Sequence, residues 1–346
     1  MNAPDPTPRA ITRVSPRLRV AVALSGLLGL ALATGLIVHS GLGAILRVLD
    51  LAGWALLWVI PVHFIPIALD AAGWRVLLKA EPRAGFWFLS WVASVRDSIN
   101  ALLPVARVGG EIVGVRLLMA RGVTGATAGA SVIVEITATL VMQFLFTLIG
   151  LAILLYYLRD NGAARAVLIG LLASLPAIIV FFLLQHRWGL FQLLERALVA
   201  VTGREVLTLI GDPARLDAAI QNLYRKRKVI AVCGWWQFVG LMAGAAELWF
   251  TLYLLGHPVN PLAAILLESL AQAVQSASFI VPAGIGIQEG TFVLFGAATG
   301  LTAEVSLALS LARRLRQVGF GIPMLLSWQW MESSRLRGYA RALYKK

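Results

Sequence analysis

Residues 98–111 read SINALLPVARVGGE, and residues 276–289 read SASFIVPAGIGIQE. In the first stretch Ser98, Asn100, Leu102, Leu103, Pro104, Ala106 and Glu111 stand 178 positions before Ser276, Ser278, Ile280, Val281, Pro282, Gly284 and Glu289 of the second, with no gap. The offset continues through Gly122-Val123-Thr124 against Gly300-Leu301-Thr302 and reaches Glu135, which stands opposite Arg313. Half the chain is therefore written twice. Each copy is an apolar stretch that carries a carboxylate and is broken by proline and glycine, at Pro104, Gly109 and Gly110 in one and at Pro282, Gly284 and Gly286 in the other. Matched interruptions in corresponding halves are the pattern of discontinuous helices meeting at a membrane transport site. The plainer alternative is a pair of proline-kinked helices whose glycines serve only packing.

Composition sets the medium around these copies. The 346 residues are 59% hydrophobic and 14% charged, with a mean hydropathy of +0.81, outside the usage of a soluble domain. Apolar runs of about twenty residues predict helices that cross a bilayer, whereas a β-barrel would show shorter alternating segments. The fold class predicted is all-α: a polytopic helical membrane protein with two inverted repeats, each holding a re-entrant hairpin. The formal charge of +13 reads as Lys and Arg retained in cytoplasmic loops and tails, not as a nucleic-acid surface. Cys233 is the single cysteine and His39, His63, His186 and His257 show no ligand spacing, so neither a disulfide, a metal site nor a cofactor is expected.

Taken in order, residues 1–19 form a basic cytosolic tail and 20–39 a first span. Ala31-Leu32-Ala33 resembles a signal-peptide cleavage site, but the apolar run continues to spanning length and predicts an uncleaved helix. Repeat A occupies 51–185, with a span over 51–78, a re-entrant hairpin over 86–118, a long outward span over 124–158 and a return over 164–185 kinked at Pro176. Residues 186–228 read as an amphipathic cytosolic linker ending in Arg225-Lys226-Arg227-Lys228, a topology anchor that also suits anionic lipid head groups. Repeat B occupies 229–330, with a re-entrant hairpin over 261–300 and a last span over 301–330, and 331–346 form a second basic cytosolic tail. Both termini are expected in the cytosol. The span before the first hairpin then runs inward and the span before the second runs outward, so the halves are related by inversion.

The candidate site residues are the charges inside these apolar runs. Arg96, Asp97, Arg107 and Glu111 fall in one hairpin, where lipid-facing helices would cost about 2.5–3.5 kcal/mol per central charge. A hairpin shielded by other helices avoids that cost. Gly109-Gly110 is expected to open a half-helix beside Glu111, and Asn100 lies in the same copy. Gln288 and Glu289 follow the glycines of the second copy, and helix capping is an equal alternative for each carboxylate. Glu135 and Arg313 are expected near mid-membrane, facing a shared cavity and bonding to each other or to a substrate; separate structural partners are the alternative. Arg313 and Arg314, with Arg316, suit a lipid phosphate, unless the span boundary shifts and puts them at an interface.

At these residues the chain resembles a known family. The run Arg96-Asp97-Ser98-Ile99-Asn100-Ala101-Leu102-Leu103-Pro104, Gly109-Gly110-Glu111 with Gly114-Val115-Arg116, and Pro282-Ala283-Gly284-Ile285-Gly286 with Gln288-Glu289-Gly290 are similar to the flippase-like membrane domain of lysylphosphatidylglycerol synthases. The similarity covers nearly everything after the first span, and its wording looks closest to the small integral membrane proteins associated with hopanoid biosynthesis (HpnL-like). The resemblance implies a protein of the bacterial cytoplasmic (inner) membrane that moves, or helps to move, a lipid between leaflets. It also implies that the synthases' aminoacyl-transfer activity is absent, since only a short basic tail follows Trp330.

Three functions compete at this point. The leading one is a lipid translocase, with a phospholipid or an isoprenoid- or hopanoid-type lipid passing a central polar cavity. The second is a non-transporting partner of lipid-biosynthesis enzymes. The third is a membrane-embedded head-group transferase using the carboxylates as acid and base, for which the sequence offers no nucleotide loop or nucleophile–base pair.

Overall fold

The computed structural model of the chain describes residues 50, 52–103, 109–158, 213–277 and 287–344. The predicted spans over 20–39 and 164–185, the linker before residue 213, and Pro104, Arg107, Pro282, Gly284 and Gly286 lie outside the described residues. Within them every long element is a helix: α1 (Gly53–Leu77), α2 (Phe86–Leu102), α3 (Gly109–Ala120), α4 (Gly125–Leu158), α5 (Pro213–Arg225), α6 (Arg227–Leu254), α7 (Pro261–Ala277), α8 (Ile287–Ala298) and α9 (Ala303–Tyr344). By length and composition α1, α4 and α6 are able to cross a membrane. At 1.5 Å per residue α2 and α3 reach only about 26 and 18 Å, short of the roughly 30 Å hydrocarbon core.

The offset of 178 reappears in the helix boundaries. α3 and α8 begin and end at corresponding residues, and α4 and α9 begin at corresponding residues. Local chemistry explains the coincidence. Gly122 and Gly300 adopt φ of +87° and +85°, a left-handed conformation that stops a helix and that glycine accepts without strain. Around them the same closing bonds form: Val123 N donates to the Leu118 carbonyl at 3.2 Å and Leu301 N to the Gly296 carbonyl at 2.9 Å. Thr124 and Thr302 then start the next helix, their hydroxyls accepting from Thr127 N and Val305 N, each at 3.3 Å.

α1 is not one smooth helix. It opens as a 3-10 turn, Gly53–Trp58, and its α-helical part is divided at His63 into Val59–Val62 and Phe64–Leu77. Pro66 has no N–H for the carbonyl of Val62, four residues earlier, and its ring crowds that carbonyl, so the break at His63 follows. The tail expected from residue 331 instead prolongs α9 to Tyr344. In α5 Leu216 and Ile220 are buried while Arg215, Asp217 and Gln221 are exposed. Its apolar face packs on α4.

The packing ties the halves together. α1 lies along α6, and the contacts run in opposite order along the two helices: Gly73 meets Cys233 and Gln237, Asp70 and Pro66 meet Gly240, and His63 meets Glu247. These two helices are therefore antiparallel. A methyl group on Gly73 would stand 3.1 Å from the Cys233 carbonyl oxygen, so the crossing depends on a residue without a side chain. Each hairpin also reaches across: α2 packs on α9, and α7 packs on α4.

Candidate functional site

Arg96 in α2, Glu135 in α4, Arg313 in α9 and His63 in α1 each lie ten residues past the start of their helix. Ten residues are about 15 Å, half the thickness of a hydrocarbon core. The described side chains arrange these ionisable groups as two clusters joined by a single imidazole.

The first cluster centres on Arg96, which is buried. Its guanidinium pairs with Glu111 of α3 and donates from Nη2 to Glu135 of α4 at 2.8 Å. It also lies over the ring of Trp74 on α1, 4.6 Å from the centroid. Trp74 is held by its own indole N–H, which donates to Ser131 Oγ at 3.1 Å. A desolvated cation over an aromatic face contributes on the order of 2 kcal/mol. Asn100 closes the hairpin: its Oδ1 accepts from Gly110 N at 3.0 Å and its Nδ2 donates to Glu111 at 3.3 Å. α3 runs from Gly109, and Asn100 accepts a bond in its first turn. Space for this exists because Gly110 and Gly114 face α2; side chains there would collide with the Arg96 carbonyl and the Arg96 side chain.

The second cluster gathers three arginines of α9. Arg313 grips Glu268 of α7 with two parallel bonds of 2.6 and 2.8 Å, a fork geometry suited to a carboxylate. Arg314 takes Glu289 of α8, donating from Nε at 2.8 Å, and Arg316 takes Glu247 of α6. Gln288 donates to the carbonyl of Ser310 at 3.2 Å and to its hydroxyl at 3.3 Å, so it fastens α8 to α9. Three guanidiniums within four positions are therefore paired with carboxylates from three different helices, with Arg316 Nε buried and unpartnered among the described residues.

His63 bridges the clusters. Its Nδ1 lies 2.9 Å from Glu247 Oε2 and its Nε2 lies 3.3 Å from Asp97 Oδ2, the latter on α2 beside Arg96. The edge-on ring of Phe320, with centroids 5.1 Å apart, covers it. Between Glu247, Glu268, Arg313 and Arg316 there remains a void of about 10 Å³, room for about one water molecule. Among the described residues these side chains are closed upon one another.

Glu135 and Arg313 do not bond to each other; each takes a partner within its own half. Arg96, Asp97, Asn100, Glu111, Glu135, Glu289, Arg313 and Arg314 are brought into the two clusters, while Gln288 serves helix packing. Glu247, Glu268, His63 and Trp74 were not singled out as site residues. Glu268 escapes an alignment of the halves because its counterpart is Ser90. The usable signal was simpler: Glu247 and Glu268 are carboxylates inside apolar helices, and such groups face partners or cavities.

A family model described as "Lysylphosphatidylglycerol synthase TM region" matches residues 26–324 of the chain. No curated protein and no solved structure matches it.

Proposed function

The chain belongs to the lysylphosphatidylglycerol synthase transmembrane-region family, flippase-like multi-pass membrane proteins, and from that premise we propose that it is a lipid translocase and not an enzyme. Its substrate is a phospholipid or an isoprenoid- or hopanoid-type lipid whose polar head passes the mid-membrane charges while the tails stay in the bilayer. The observation that carries this reading is the set of ion pairs ten residues into α1, α2, α4 and α9. Paired charges are tolerable in a closed interior, and exchanging one partner for a charged head group opens a polar path without leaving a bare charge.

Inverted repeats complete the proposal. The antiparallel run of α1 against α6 supports them, as do the matching hairpin boundaries. The short α2–α3 pair supports a re-entrant hairpin, with its two ends adjacent where Arg83 donates to the Gly122 carbonyl at 3.5 Å. Arg75, Lys79, Arg83, Arg121 and the run Arg225-Lys226-Arg227-Lys228 gather where α1 ends and α6 begins, while the loop Gly256-His257-Pro258-Val259-Asn260 has no Lys or Arg. The basic end then faces the cytosol of the bacterial inner membrane, where it meets anionic lipids and lipid-biosynthesis enzymes. α2–α3 enters from that side and α7–α8 from the other, as alternating access requires.

The test is transbilayer movement of labelled lipids in reconstituted vesicles. Glu135→Ala and Arg313→Ala each abolish crossing, while gel filtration and helical circular dichroism remain as in the wild type. Unaltered crossing in both variants overturns the reading.

A further inference from the structure

We infer that His63 is a proton-binding site, and that the proton it holds latches the α2–α3 hairpin to the charge cluster of the second half. A neutral imidazole has one N–H and one lone pair, whereas an imidazolium donates from both nitrogens. His63 presents Nδ1 to Glu247 at 2.9 Å and Nε2 to Asp97 at 3.3 Å, two carboxylates, which accept and do not donate when ionised. Both contacts are bonds only if an extra proton resides in the trio; without it, one nitrogen turns a lone pair toward a carboxylate oxygen.

The groups around the ring decide which contact yields. Glu247, from α6, is also held by Arg316 of α9, so it stays in place when the proton leaves. Asp97, from α2, is the longer contact, and its side chain is 45% exposed where that of Glu247 is 3% exposed. Phe320 of α9 closes the remaining side of the ring. Loss of the proton therefore weakens the link from α1 to α2 and leaves the link from α1 to α6. His63 also lies at the junction of the two α-helical parts of α1, Val59–Val62 and Phe64–Leu77. Protonation holds the hairpin shut at low pH and deprotonation releases it as pH rises.

The latch stands on this geometry alone; its use to drive lipid movement rests on the function proposed above. Two measurements separate them, each on the full chain in lipid nanodiscs or vesicles. The first follows the imidazole nitrogens of histidine-labelled protein by NMR, with His63→Gln identifying which of the four histidines is His63, together with amide exchange in α2 and α3. His63 should carry two N–H groups at low pH and lose one in a single step as the pH is raised across the range in which the protein stays folded. Hairpin exchange should rise over the same step beyond its intrinsic base dependence, and both His63→Gln and Asp97→Asn should abolish that excess. A single tautomer throughout this range, or an excess that persists in both variants, overturns the latch even if lipid crosses normally. The second measures lipid crossing against an imposed pH gradient. A gradient response in the wild type that is lost in His63→Gln supports coupling, and equal responses overturn it. A wild type that moves no lipid at all fails the transport reading while the first measurement still decides the latch.

Discussion

Arg96–Glu135 and Glu268–Arg313 each join the first helix of a short pair, α2 or α7, to the long helix that follows the pair, α4 or α9, with the signs exchanged. In the first half the short helix carries the cation and the long helix the anion; in the second the long helix carries the cation. At this joint an ion pair of either polarity is accommodated. The halves differ again in balance. Arg96 is shared between Glu111 and Glu135, two carboxylates to one guanidinium, whereas Arg313, Arg314 and Arg316 each have a carboxylate of their own. A single removal thus exposes more in the first half than in the second.

That asymmetry ranks the experiments. Arg96→Ala leaves two buried carboxylates with no cation and removes the partner of Trp74, and it should destabilise the protein by at least the 3–5 kcal/mol typical of a broken buried pair. Arg313→Ala strands only Glu268 and should cost less, about 3 kcal/mol. Thermal unfolding in one detergent compares the two, and equal losses would remove the distinction between the clusters. Exchanging the partners sharpens it further. Glu268→Arg and Arg313→Glu should each be severely destabilising alone, and the double variant should recover at least about 2 kcal/mol of the summed loss in a double-mutant cycle. No recovery would mean that polarity at this joint is fixed after all. The smallest effect concerns the two turns. Gly122→Ala and Gly300→Ala both place a side chain at positive φ, about 1–2 kcal/mol, but the added methyl meets the Arg83 guanidinium at residue 122 and open space at residue 300. Gly122→Ala should therefore lower the melting temperature more than Gly300→Ala.

The parts legible in the sequence were those fixed locally. The Gly-Leu/Val-Thr stop and start signals act within a few residues, and the boundaries at Gly125 and Ala303 follow them. The pairing of charges was not legible, because it depends on which helices cross. Arg96 meets Glu135 only because the α2–α3 hairpin folds onto α4, and Glu247 meets His63 only because α6 runs against α1. Glu135 and Arg313 invited a mutual pair by their matched positions. Each instead finds its counter-charge on the first helix of its own half's hairpin, a nearer and already desolvated neighbour.

The crossing of α2 onto α9 and of α7 onto α4 bears on how the chain is made. Synthesis runs from the amino end, so α2 emerges long before the helix that will cover it. Until the last helix enters the bilayer, the Trp91 indole lacks Ser327, its hydrogen-bond acceptor at 3.0 Å. The nascent first half must therefore wait, partly uncovered, beside the insertion machinery. By the same logic, two separately expressed fragments divided between residues 159 and 212 have every reason to find each other.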